Sequence, residues 1–242
     1  MSDVSKKLHI LQLYPRDMNI YGDWGNTLTL QRRAQWHGFE VALHEYNPGD
    51  AWPENIDLIV GGGGQDSGQS VIQNDLLAIG NKLQALADDK VPMLMVCGLY
   101  QLLGRFFRTK DGTEIRGIGL LDIETHAGPE RLIGNITTSS PDFGDIVGYE
   151  NHSGLTYLGD KVQPFGTVTR GAGNNGQDQT EGARYQKIIG TYLHGSLLPK
   201  NPDIADWLIE QAAIRHYGDF VPNVIDDRFA IRAREVAIRR PR

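Results

Sequence analysis

The sequence holds a single cysteine, Cys97, in 242 residues. A lone thiol excludes an intramolecular disulfide and any metal site built on several cysteines, and it fits a reducing compartment. No apolar run reaches the roughly eighteen residues of a transmembrane helix, so none is expected. Positive charge is not in excess: 24 Lys and Arg stand against 30 Asp and Glu, a net of −6. That balance disfavours nonspecific nucleic-acid binding. His, Asp and Glu form no cluster at ligand spacing, so no metal site is expected. Internal repeats and low-complexity linkers are absent too. The opening stretch MSDVSKKLHILQLYPRD soon meets Pro15, Arg16 and Asp17. It reads as a first strand rather than a signal peptide.

What is present is an ordinary globular composition, 40% hydrophobic and 22% charged. The length suits one α/β domain over residues 1–242, with C-terminal helices at about 201–240 as part of it. Residues 7–14 and 39–46 read as strands, with a helix near 26–37 between them and Gly38 as its stop. Residues 56–60 and 91–96 are short apolar runs that suit central strands of a parallel sheet. Between them Ile72, Leu76, Ile79, Leu83 and Leu86 recur in steps of four and three. That spacing predicts an amphipathic helix, with Ser67 or Ser70 as its cap. After Gly117 the rhythm changes. Residues 131–139, 148–152, 162–170 and 185–193 read as strands, and helices follow from Asn201-Pro202 and over 224–240. The predicted fold is α/β, with a central, mostly parallel sheet flanked by helices and a mixed C-terminal half.

Three segments carry chemistry. Cys97 follows the apolar run VPMLMV and precedes GLYQLLG, a helix start. A nucleophile at such an elbow is exposed at the sheet's carboxyl edge and faces helix N–H groups that favour a thiolate. The alternative is a small buried apolar residue. The run IVGGGG at 59–64 ends a strand in four glycines, which let backbone N–H groups approach a ligand. It is neither a Walker loop nor a clean dinucleotide fingerprint, and a tight turn is the alternative. His194 ends the segment IIGTYLH and is the candidate general base for Cys97. His126 and His152 are its rivals, in loop-like sequence. Papain-like and caspase-like signatures are absent.

Together IVGGGG (59–64), VCGLYQ (96–101) and GTYLHG (190–195) resemble the class I glutamine amidotransferases, in order and spacing, over nearly the whole chain. The resemblance implies a flavodoxin-like domain that hydrolyses the glutamine side-chain amide and passes ammonia to a synthetase. The nearest branch is the cobyric-acid-synthase-like one. Within it, NIYGDWGN (19–26), RLIGNI (131–136), FGDIVGYENHSGLTYL (143–158), GNN (173–175) and GTYLHGSLLPKNP (190–202) resemble the glutaminase subunits that serve lipid II amidation.

By that resemblance Cys97 is the nucleophile and His194 the base. The N–H groups of Gly98 and of Gly63 or Gly64 form the oxyanion hole. Gln101 and Arg131 bind glutamine, Arg131 having a solvated strand-edge charge as its alternative. Related chains carry Glu two residues after the histidine, where this one has Ser196. The resemblance points instead to Asp23 as the acid that orients His194; a helix cap is the physical alternative. Leu99 replaces a glycine of the related pattern and is expected to crowd the elbow.

The resemblance also implies a heterodimer. The partner is a MurT-like Mur ligase on a separate chain, which holds ATP and Mg²⁺, while the glutaminase half needs no cofactor. The acceptor is lipid II, whose D-glutamate becomes D-isoglutamine, and the setting is the cytoplasm at the inner face of the membrane. Another acceptor, such as a corrin carboxylate, and a catalytically silent regulatory subunit are the alternatives. Arg228, Arg232, Arg234, Arg239, Arg240 and Arg242 near the C-terminus are either a solvated face or a docking surface for an acidic patch.

Overall fold

A computed structural model describes residues 6–241. Residues 1–5 of the opening stretch and Arg242 lie outside the described residues. Strands β1 (Lys7–Leu13), β2 (Glu40–Tyr46), β3 (Leu58–Gly61) and β4 (Met93–Val96) are the four expected in the first half. All pair in parallel, and a fifth parallel strand, β12 (Ile188–Thr191), joins beside β4. With the antiparallel edge strand β11 (Ala183–Tyr185), the order is β11-β12-β4-β3-β1-β2. Both β3 and β4 are buried at every position, as strands covered on two faces are.

Helix α1 (Trp24–Trp36) connects β1 to β2, and α2 (Asp66–Asp88) connects β3 to β4. The two crossovers run in opposite directions along the sheet. Right-handed connections therefore place α1 and α2 on opposite faces. The reversal lies between β1 and β3, and a crevice opens beyond their carboxyl ends. This is where the loops holding Asp23 and the four glycines emerge.

Helix α1 stops at Gly38, at φ +94°, as expected. On α2 the side chains of Ile72, Leu76, Ile79 and Leu83 are buried, as the spacing predicts. The expected caps of α2 are corrected. Gln65 holds the N-cap position, and Ser67 and Ser70 lie inside the first turns.

The second half builds a separate sheet. Its strands are β5 (Phe106–Arg108), β6 (Glu114–Arg116), β7 (Ile123–Ser140), β8 (Gly144–Leu158), β9 (Gly166–Arg170) and β10 (Thr180–Glu181). The order is β10-β9-β7-β5-β6, with β8 paired to β7 in a long antiparallel hairpin. Residues 131–139 are thus the second half of one longer strand, and 148–152 the middle of another. Gly-Pro is a turn signal, yet β7 runs through Gly128-Pro129 on a register shift between Ala127 and Leu132. A bulge tolerates proline where a regular ladder does not.

The expected strand at 185–193 is divided. Gln186, at φ +51°, turns the chain between β11 and β12. A short helix, α3 (Gly98–Leu103), follows β4, and beyond β12 come α4 (Leu197–Lys200), α5 (Pro202–Tyr217) and α6 (Arg228–Arg239). No residue of α6 is buried, and none of the described helices is long and apolar enough to cross a membrane.

Candidate active site

Cys97 stands between β4 and α3 at φ +52°, ψ −104°. A non-glycine residue in that region costs on the order of 1–3 kcal/mol and persists only where its surroundings hold it. Here its N–H donates to the Thr191 carbonyl at 2.8 Å, and its own carbonyl accepts the Gln101 N–H at 2.9 Å. The neighbouring strand end and the first helical turn thus fix the elbow. The thiol is buried, and Gly98 is needed beside it: a Cβ there would lie 2.6 Å from Met18 Cε and 2.9 Å from Gln69 Nε2.

His194 follows β12, and its backbone is clamped by Tyr149 of β8 through two hydrogen bonds, 2.8 and 3.3 Å. Tyr21 covers the ring at 4.6 Å between centroids. The imidazole and the thiol meet over Gly63, where a Cβ would stand 2.9 Å from His194 Cε1 and 3.4 Å from Cys97 Sγ. On its other side His194 Nδ1 lies 3.4 Å from Asp23 Oδ1. Burial by itself lowers the His194 pKa. The Cys97 sulfur and the Asp23 carboxylate outweigh it and push the value up to about 10, which favours the imidazolium form.

Asp23 precedes α1 but does not cap it. Its side chain makes no cap bond; Asn19 Oδ1 accepts the Trp24 N–H instead, at 2.8 Å. The carboxylate turns inward and accepts the Gly63 N–H at 2.8 Å. Ser196, where related chains have an acid, donates its hydroxyl to the Gly22 carbonyl at 2.9 Å. It ties down the loop that presents Asp23.

The Gly63 expectation is therefore corrected: its N–H is committed to Asp23 and is not available to an oxyanion. Gly64 and Gly98 remain. Gly98 is the first residue of α3, so its N–H has no intrahelical partner. A Cβ on Gly98 would lie 3.1 Å from the Gly64 nitrogen, so the two groups are neighbours.

Beside the thiol lies a cavity of about 320 Å³, lined among others by Tyr21, Gln69, Gln101, Arg131, Asn151 and His152. Arg131, on the hairpin, reaches it with its guanidinium donating to Asn151 Oδ1 at 3.1 Å. Gln101 is on the wall too, held by Gln69 at 2.6 Å and by the Tyr192 hydroxyl at 2.9 Å. Leu99 is fully buried and packs beneath Gly61 and away from the cavity lining, which corrects the expected crowding.

Of the rival histidines, His126 lies outside the cavity, paired with Glu124 at 3.3 Å. His152 is on the wall, stacked on Tyr192 at 3.6 Å, with Nδ1 2.7 Å from the Gly154 carbonyl. Burial above all, with the charges of His194 and Arg131, pushes its pKa down to about 3. The neutral form is favoured, and no carboxylate among the described residues acts on it. Tyr21, Gln69, Asn151 and His152 were not singled out as binding residues by sequence reasoning. A lone Tyr or Gln in a loop or helix carries no signal until the fold closes around it.

A parallel sheet with a positive-φ cysteine elbow, beside a strand that leads into a histidine, has the architecture of a class I amidotransferase. The model of the CobB/CobQ-like glutamine amidotransferase domain matches residues 9–202, and the chain belongs to that family. It is 40% identical over 240 residues to the subunit GatD of lipid II isoglutaminyl synthase (glutamine-hydrolyzing) from Staphylococcus aureus (strain N315), covering 96% of this chain and 97% of that one. To the subunit of the same name from Streptococcus pneumoniae (strain ATCC BAA-255 / R6) it is 36% identical over 215 residues, covering 88% and 83%. A solved glutamine amidotransferase from Thermotoga maritima shares the fold, with a TM-score of 0.57 at 15% identity over 95% of this chain and 93% of that one.

Proposed function

We propose that this chain is the glutamine-hydrolysing subunit of a lipid II isoglutaminyl synthase, with Cys97 as nucleophile, His194 as acid and base, and Asp23 as the group that orients His194. One observation carries the reading. A buried cysteine at a strained elbow meets a histidine that is backed by a buried carboxylate, alongside two backbone N–H groups without a partner among the described residues.

The Cys97 thiolate attacks Cδ of glutamine, and the carbonyl π electrons move to oxygen. The N–H groups of Gly64 and Gly98 hold that oxyanion; one such donor is worth about 3–4 kcal/mol of barrier. The His194 imidazolium gives its Nε2 proton to the nitrogen, and the C–N bond breaks to release ammonia and a thioester. Neutral His194 then takes a proton from water, which attacks the thioester. Collapse expels glutamate and restores the thiolate–imidazolium pair. Thiolate attack and proton transfer by imidazole complete this half-reaction without a metal or organic cofactor. Arg131 pairs with the α-carboxylate of glutamine, and Gln101 keeps the pocket wall in place.

The ammonia acceptor belongs to a separate ligase subunit. The reading assigns a MurT-like Mur ligase that uses ATP and Mg²⁺ to activate the D-glutamate α-carboxyl of lipid II, which ammonia converts to D-isoglutamine. The setting is cytoplasmic, at the inner membrane face where lipid II resides. Cys97→Ser tests the nucleophile. The variant keeps its fold, glutamine binding and partner binding, and loses glutamine hydrolysis by at least about 10⁴-fold. Turnover retained in that variant sinks the assignment.

A further inference from the structure

Gln69 has no part in the mechanism above, yet it is almost wholly buried, 1% exposed, on the cavity wall. It ends a chain of buried polar groups that runs Thr125, Thr156, Tyr192, Gln101, Gln69. The order of donors follows from the phenol. Tyr192 is 2.6 Å from Thr156 Oγ1, a short hydroxyl–hydroxyl bond, and the more acidic phenol O–H donates there. Its oxygen then accepts from Gln101 Nε2 at 2.9 Å. Gln101 has its Oε1 left, which accepts from Gln69 Nε2 at 2.6 Å. Gln69 Oε1 is the end of the line, buried and without a hydrogen-bond partner among the described residues. A buried acceptor with no donor is unfavourable unless a ligand completes it.

The amide of Gln69 also adjoins the elbow, since its Nε2 would be 2.9 Å from a Cβ on Gly98. A carboxamide poised on Cys97 offers two N–H groups there. Its oxygen is taken by Gly64 and Gly98, so its nitrogen needs an acceptor as well as the acid His194. We propose that Gln69 Oε1 accepts a hydrogen bond from the side-chain NH₂ of the bound glutamine and is the residue that distinguishes the amide from the acid. The product glutamate has no hydrogen at that place, and its carboxylate oxygen meets the carbonyl oxygen of Gln69. The contact thus holds substrate and loosens product. This proposal rests on the glutaminase reading and refines it.

The test compares ligands that differ only at that nitrogen. In full-length Cys97→Ser chain, calorimetry gives the affinities for L-glutamine and L-glutamate. Gln69→Met, nearly isosteric, is expected to narrow the preference for glutamine by about tenfold, because a buried hydrogen bond is lost for one ligand only. In the chain with Cys97 intact, the ratio of kcat/KM for glutamine to that for its γ-methyl ester, which has no N–H, is expected to fall by a similar factor. General damage to the pocket, including a loosened Gln101, lowers both members of each pair and leaves the ratios unchanged; that result overturns the proposal. Gln69→Leu with a thermal melt repeats the test should the Met variant misfold. A Cys97-intact chain that hydrolyses neither glutamine nor its ester, with or without a ligase partner, overturns the glutaminase reading itself.

Discussion

His194, beside the thiol, and His152, on the wall of the cavity next to that thiol, belong to two different sheets, and their protonation is driven in opposite directions. Both are almost fully buried, 1% and 2% exposed. Burial alone lowers the pKa of each. His194, at the end of the parallel sheet, has the Cys97 sulfur on one side and the Asp23 carboxylate on the other, and rises to about 10. His152, on the antiparallel hairpin, has a backbone carbonyl, a tyrosine face and two cationic neighbours, and falls to about 3. Partners, and not depth, decide which histidine is charged. In the proposed mechanism the parallel sheet therefore supplies the reactive pair, and the hairpin supplies neutral wall and a cation for the substrate's carboxylate.

The comparison breaks most sharply at Asp23. Asp23→Asn keeps an acceptor for the Gly63 N–H but removes the negative charge beside His194. The His194 pKa is expected to fall toward that of His152, and glutamine turnover by about 10²-fold or more. NMR titration of the imidazole and steady-state rates check both, with urea unfolding as control. Losses of turnover and stability in proportion reduce Asp23 to a structural tie. A smaller effect is expected from the hairpin side. Arg131→Lys retains the charge but loses the planar fork that binds a carboxylate at two points. KM for glutamine is expected to rise roughly tenfold with kcat little changed, since uniform binding is what is lost. A fall in kcat with unchanged KM places Arg131 in the chemistry instead.

The two sheets also differ in how much of them the sequence reveals. The parallel sheet was legible because central strands need unbroken apolar runs, and Val96-Cys97-Gly98 follows one of them directly. His194 was legible for the same reason, three residues past Thr191. The hairpin was not. Its strands continue through Gly128-Pro129 by a bulge, which local sequence reads as a stop. Asp23 was ambiguous because an acid before a helix is a good cap; only the placement of Asn19, which takes the cap bond, frees it. The split between Gly63 and Gly64 was beyond reach, since four adjacent glycines differ only in where their N–H groups point.

A third buried group tests the same rule at smaller amplitude. Glu181, on β10, accepts the Tyr192 N–H at 2.8 Å and the Thr191 hydroxyl at 2.9 Å, and so braces the strand end that holds the Cys97 elbow. Those bonds favour the carboxylate, but burial dominates and raises its pKa to about 7. Oε2 has no hydrogen-bond partner in the described residues. The positive charge of His194 acts on it but does not outweigh burial, so Glu181 follows His152: the neutral form is favoured. A carboxyl whose folded pKa is raised binds its proton more tightly folded than unfolded. Its contribution to stability is fully present below the unfolded value of 4.5, and is lost as pH rises to about 7. The loss amounts to about 3 kcal/mol across that window. Glu181→Gln keeps an acceptor for both bonds and cannot ionise. Urea unfolding is expected to give equal stability for the two chains at pH 4.5, and a more stable Gln variant at pH 8. A stability difference that is the same at both pH values means that another cation or water answers the charge, and that depth and partner do not separate Glu181 from Asp23.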